Sequence, residues 1–144
     1  MSVLDRQVLA ERAAAVERHL ARVAERLPKE PSDLKPTTDA SDAVVLHLWQ
    51  AVQIVIDLAL SACLHFNLGT PSGYGDAFRR LADGGLIEQS LAERLVRASG
   101  FRNVVSHAYE SLDMQLVHRG ASEGPADLRA FLRILRDRLR SDAT

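Results

Sequence analysis

Cysteine is almost absent from this chain: Cys63 is the only one in 144 residues. One thiol cannot close an intramolecular disulfide, and a single buried thiol suits a reducing cytoplasm. Cys63 sits in the apolar stretch 59–64. The alternative, an activated nucleophile, needs polar and electropositive surroundings that this stretch does not offer. Excess charge of either sign is also missing, with 18 Lys and Arg against 19 Asp and Glu. No general basic character advertises nucleic-acid binding, so any RNA site must rest on locally placed arginines. The His, Cys and carboxylate spacing of a metal site is not present, and no metal or other cofactor is expected. There is no strand alternation and no internal repeat. Gly73-Tyr74-Gly75 follows no strand, so it is not a phosphate-binding fingerprint. The start, Met1-Ser2-Val3-Leu4-Asp5-Arg6, is charged throughout and does not read as a secretion signal.

What is present describes a globular helical chain. Apolar residues make up 47% and charged residues 26%, and a chain of this length fits one domain, 1–144, with a core of its own. Val16, Leu20, Val23 and Leu27 recur at helical spacing and predict a helix over 3–27. Pro28, Pro31 and Pro36 end it and make an extended connection. Thr38, Asp39 and Ser41 are candidate N-caps for a second helix running to about Asn67, with Gly69 as its stop. That segment is long enough to be mistaken for a membrane span. His47, Gln50, Gln53, Asp57 and His65 within it would be costly in a bilayer, so no membrane role is expected. Being apolar nearly all round, it reads as the central helix of a bundle. A short helix is predicted over 75–82, broken by Asp83-Gly84-Gly85. Helix resumes at about Glu88 and continues through Gly100 to Asp113. A loop is expected over 120–124. Pro125 then fits the first turn of a last helix striped by Leu128, Phe131, Leu132, Leu135 and Leu139. The expected architecture is all-α, an up-and-down bundle of four long helices and one short one.

The informative stretch is 101–113. At about 100° per residue, with Arg102 at zero, Phe101, Val104, Val105, Ala108 and Leu112 fall between about 200° and 300°. Arg102, Asn103, Ser106, His107, Tyr109, Glu110 and Asp113 fall between about −20° and 140°. One face is set to pack; the other gathers an arginine, an amide, an imidazole, a phenol and two acids. A merely solvated face is the plain alternative. Such faces are typically rich in Lys and Glu, whereas this one holds no Lys and includes His and Tyr. Histidine moves protons near neutral pH, and arginine grips a phosphate with two parallel hydrogen bonds. Together they suit RNA cleavage in which the 2′-hydroxyl attacks its own phosphate, with His107 transferring the proton and Arg102 stabilising the phosphorane. Asn103 lies one turn before His107, placed either to orient the ring or to contact phosphate. One histidine supplies either a base or an acid, and a two-fold dimer facing two such helices would supply both.

At these residues the chain resembles the HEPN ribonucleases, whose signature is Arg-x4-His. Arg102-Asn103-(x3)-His107-x-Tyr109, with Asp113 four residues on, is similar to the HepT-like toxins. The resemblance extends over roughly 42–139 and takes in the 48–57 helix, the 70–78 turn, Gly84-Gly-Leu-Ile87 and 91–95. It implies a HEPN-like bundle and a metal-independent endoribonuclease toxin of a type VII-like toxin–antitoxin pair, acting on RNA such as tRNA or mRNA. It implies a homodimer with motifs facing across the interface, and catalytic roles for Arg102 and His107 supported by Asn103, Tyr109 and Asp113. It also implies a cognate minimal nucleotidyltransferase antitoxin that transfers AMP to Tyr109. The alternative within the same fold is a catalytically silent HEPN module that binds a nucleotidyltransferase or a nucleotide. Two departures stand out: Ser106 replaces the usual apolar residue before the histidine, and Ala108 an often polar one.

Several residues keep two readings. Asp57, an acid on the most apolar helix, either supports the site from behind or caps a neighbouring polar group. His47 and His65 read as satisfied core or interface residues rather than ligands. His118 reads as a loop surface residue that could approach RNA. Arg79 and Arg80 read as helix-surface charges, with phosphate or antitoxin contact as the alternative.

Overall fold

The structure, a computed structural model, describes residues 4–142. Helix α1 (Arg6–Arg26) opens where the Asp5 carboxylate accepts the Val8 N–H at 2.8 Å, which satisfies one of the amides that a helix start leaves unpaired. Residue 3, where the sequence began this helix, lies outside the described residues. The proline run holds only a single 3-10 turn, Pro31–Asp33. Of the three candidate caps, Thr38 takes the position. Its hydroxyl accepts from the Ser41 N–H, and the Ser41 hydroxyl accepts from the Thr38 N–H. This reciprocal capping box starts α2 (Asp39–His65).

Helix α2 is long and apolar enough to cross a membrane by composition. Here it packs against α1, α3 (Tyr74–Asp83), α4 (Gln89–Ala108) and α5 (Met114–Asp142), which is why it is apolar nearly all round. Its stop is made by Asn67 at φ 58° rather than by Gly69 alone, with the Leu68 N–H reaching back to the Cys63 carbonyl at 2.8 Å. Cys63 is buried, and burial pushes its thiol pKa up. Gly85, at φ 80°, ends α3 in the left-handed region that glycine enters freely. One apolar core draws on all five helices. Phe78 and Phe131 meet edge to face at 5.7 Å in it, and burial of each ring contributes roughly 1.5–3 kcal/mol.

Two expectations are corrected. Helix α4 ends at Ala108, not Asp113; Ala108 leaves helical geometry (φ −142°, ψ 39°) and a 3-10 turn follows over Tyr109–Ser111. The cause is what lies on either side. The Tyr109 hydroxyl is drawn to Asp42, and the Asp113 carboxylate accepts the Gln115 N–H at 2.9 Å at the start of α5. The expected loop at 120–124 is also absent. Helix α5 runs unbroken with Pro125 inside it. Buried Val117 and Ala121 extend the stripe of Leu128 and Leu132 backwards, so packing outweighs the hydrogen bond that proline removes. His118 is consequently no loop residue. It is buried on α5 and bonded through Nε2 to the Pro28 carbonyl at 2.7 Å, tying the proline connection down.

Between α1 and α2, His19 Nδ1 and His47 Nδ1 lie 3.0 Å apart. One ring donates and the other accepts, so the contact holds while at most one is charged. Burial, then His47, then Arg18 lower the His19 pKa. The folded chain therefore binds fewer protons than the unfolded one below the unperturbed value of about 6.5. This contribution is complete above that pH and is lost as pH falls. Thermal melts should show a lower Tm at acidic than at neutral pH. His19→Gln should shrink that difference, and an unchanged difference in the variant would clear the pair of responsibility.

Candidate active site

Arg102 and His107 both lie on α4, near its C-terminal end, and the rest of the site comes from the α2 face opposite. Asp42, Trp49 and Gln53 recur along α2 at about one or two turns, so they form a stripe beside α4. Gln53 Oε1 accepts from Arg102 Nε at 2.7 Å, and Gln53 Nε2 donates to Asp57 Oδ1 at 3.0 Å. The carboxylate accepts only and the guanidinium donates only, so the orientation of the Gln53 amide is fixed. Asp57 thus stands behind Gln53, and Gln53 aims Arg102. The guanidinium also lies over two rings, 5.7 Å from the Trp49 centroid and 5.1 Å from that of Tyr74 at the start of α3. The Trp49 indole N–H donates to the Arg102 carbonyl at 3.3 Å. Nε is engaged, and Nη1 makes only a long contact to Asn103 Oδ1 at 3.4 Å. The Nη2 edge is what remains to meet an anion.

His107 and Asn103 are exposed. Among the described residues no contact joins Arg102 to His107, in keeping with the wide arc between them. Ser106 donates to the Arg102 carbonyl at 2.9 Å, so this departure adds a second donor on the same oxygen as Trp49. Val104, expected on the packed face, is 51% exposed instead.

Because α4 ends at Ala108, Tyr109 and Glu110 leave the helical arc. The Tyr109 hydroxyl donates to Asp42 Oδ1 at 2.6 Å. That bond, with some burial, raises the phenol pKa. A cavity of about 420 Å³ adjoins it, bounded by Asp42, Glu110, Val45 and Leu112. Asp113 caps α5. Sequence reading missed Asp42, which looks like any first-turn acid, and did not assign Trp49, Gln53 or Tyr74 to Arg102. Only the helical phase of 42, 49 and 53 hinted at a shared face.

Other candidates have structural partners. Arg80 pairs with Asp76 at 2.7 Å and donates to the Leu68 carbonyl at 3.0 Å, and Arg79 faces Glu93 at 3.7 Å. The His65 ring packs edge-on against Phe66. Among the described residues no cluster of three metal-ligating side chains occurs.

Comparison with known proteins bears on the family and the fold. A family model described as Ribonuclease HepT-like matches residues 15–135. An mRNA nuclease HepT from Shewanella oneidensis is 26% identical over 129 residues, covering 90% of this chain and 96% of that protein. The structure superposes on a tri-AMPylated HEPN toxin of Shewanella oneidensis in complex with an MNT antitoxin. The TM-score is 0.81 and the identity 25%, over 90% of this chain and 97% of the other. A toxin–antitoxin complex with AMP-PNP shares the fold, at a TM-score of 0.82 and 24% identity, over 91% of this chain and 98% of that one.

Proposed function

This chain belongs to the Ribonuclease HepT-like family, and from that premise we propose that it is a metal-independent endoribonuclease toxin silenced by AMP transfer to Tyr109. The observation that carries the reading is the Arg102 guanidinium, held by Gln53, Trp49 and Tyr74 with its Nη2 edge left for an anion, on the same helix as an exposed His107. In the reaction the RNA 2′-oxygen bonds to the adjacent phosphorus and the bond from phosphorus to the 5′-oxygen breaks. His107 transfers the proton, and Arg102 balances the extra phosphorane charge. Asn103, whose Oδ1 meets Arg102 Nη1 at 3.4 Å, adds an amide to the polar face. Asp113 holds the following helix in place.

The site is completed by a second copy, with Arg102 of one protomer and His107 of the other serving one phosphate. Two features support this: the wide arc between the residues on one helix, and the exposed apolar side chains Val104 and Leu46 flanking the motif. Large exposed apolar groups beside a polar site are a usual mark of an interface. The antitoxin is a minimal nucleotidyltransferase that moves AMP from ATP to the Tyr109 oxygen, releasing pyrophosphate. The compartment is the cytoplasm, where a lone buried thiol such as Cys63 stays reduced.

The test is direct. Purified protein should cleave single-stranded RNA with a chelator present, and prior incubation with the nucleotidyltransferase and ATP should stop it. Absence of cleavage by the unmodified protein would leave a silent nucleotidyltransferase-binding module as the correct reading.

A further inference from the structure

The largest of the described cavities lies away from the motif, between α1 and α5, with a volume of about 650 Å³ against about 420 Å³ beside Tyr109. Arg129, Arg133, Arg136 and Arg140 line one wall. Their spacing of four, three and four residues puts all of them on one face of α5, in a row about 16 Å long. Arg6 stands on the α1 side, and Leu9, Ala13 and Leu132 lie between. One acid, Glu17, lines the groove, and it is held by Arg129 at 2.8 and 3.1 Å. Five arginines thus share one groove in a chain whose formal net charge is −1.

We propose that this α1–α5 groove binds the phosphate backbone of RNA, as an exosite for the substrate of the motif. The inference rests on the reading of the chain as a ribonuclease, and it supplies what the motif lacks. Around the motif, Arg102 is outnumbered by Asp42, Glu110 and Asp113. A polyanion gains most of its affinity from displaced counterions at paired phosphates, and one partly engaged arginine releases few. An acidic protein surface would also be attracted. A row of arginines about 4.5–6 Å apart along one helix face, with Arg129 on Glu17 and Arg136 near Asp137 at 3.4 Å, fits a repeating phosphate chain better than a broad face. The apolar floor and the planar guanidiniums also offer bases a surface to stack on.

The geometry sets a length requirement. Arg129 to Arg140 lie about 22–39 Å along α5 from its first residue, which follows the motif turn. At about 3.4 Å per stacked nucleotide, about ten nucleotides span that distance. An RNA much shorter than this cannot occupy both places.

Binding is measured by fluorescence anisotropy in a His107→Ala background, with labelled RNAs of about 20 and about 4 nucleotides, from about 50 to about 200 mM salt. Replacing Arg133, Arg136 and Arg140 together by Gln should weaken the long RNA about tenfold or more and reduce the salt slope by about 2. The short RNA, which cannot reach both places, should bind the wild-type groove far more weakly than the long one. Replacing the same three by Lys should keep the slope, and unchanged melting would show that all three chains fold alike. A Gln variant that binds long RNA with wild-type affinity and slope overturns the proposal. So does a Lys variant that loses as much as the Gln variant, or a Gln variant that keeps RNA and loses only the nucleotidyltransferase. The two readings can fail separately. A protein that binds long RNA through the groove but never cuts it would overturn the ribonuclease reading alone. One that cuts RNA with an unaltered salt slope would overturn the groove alone.

Discussion

His107→Ala is expected to lower RNA cleavage by about 10²–10⁴-fold, the usual worth of a positioned proton-transfer group, with no change in melting temperature. The second half of that expectation comes from exposure, since nothing in the core depends on the ring. Arg102→Ala should cost a comparable factor, by removing the charge that balances the phosphorane. Arg102→Lys should not rescue it, because an ammonium can neither fork onto phosphate oxygens nor keep the Gln53 contact while also lying over the Trp49 and Tyr74 rings. Initial rates of cleavage of a defined RNA measure all three. The same variants locate the site. Mixed dimers of His107→Ala and Arg102→Ala protomers contain one intact pair if the residues meet across the interface, and none if they meet within a chain. Recovery of activity on mixing is the expected result; silence on mixing returns the site to a single protomer.

The fold was legible because its information is periodic. The stripe of Leu128, Phe131, Leu132 and Leu135 and the all-round apolarity of α2 are properties of short windows, and both segments are helical, though α5 starts eleven residues before Pro125. The polar arc on α4 was legible only in part: Arg102, Asn103, Ser106 and His107 lie on the helix, whereas Tyr109, Glu110 and Asp113 lie beyond its end. The failures occur where a long-range partner decides. Nothing local tells Asp113 to cap the next helix rather than continue the last one, or lets Gly120, Gly124 and Pro125 stay helical. Val117 and Ala121 settle the second point by burial, which a local composition of turn formers hides. In the site, Arg102 was found but its support was not. Gln53 lies 49 residues away, and Asp42 is 67 residues from Tyr109. Asp57 was singled out as an acid in want of a partner, and its partner is Gln53, which holds Arg102.

Tyr109→Phe is expected to abolish addition of AMP while leaving cleavage active, so that co-expression with the nucleotidyltransferase no longer protects the cell. Intact-protein mass spectrometry reads the first effect: wild-type chain gains one or more AMP units and the variant gains none. A variant that still gained the mass would place the acceptor elsewhere. Asp42 sharpens the expectation. Its carboxylate accepts the phenol proton's hydrogen bond at 2.6 Å and raises the Tyr109 pKa, so the neutral phenol dominates near pH 7. A neutral phenol is a weak nucleophile, and transfer then depends on a base at the oxygen that attacks. Asp42 is the base expected there, since its carboxylate already accepts from that hydroxyl. As the tyrosine oxygen bonds to the α-phosphorus and pyrophosphate leaves, the proton passes to the Asp42 carboxylate. Asp42→Asn keeps a hydrogen-bonding partner but cannot take the proton, so AMP transfer should slow by about 10²–10⁴-fold. Once attached, the phosphodiester is an anion on an oxygen that had rested against a carboxylate, beside a cavity that also carries Glu110. Repulsion from both acids is expected to displace the adenylyl group from Asp42, and a bulky anion within the motif should block an RNA phosphate by charge and volume.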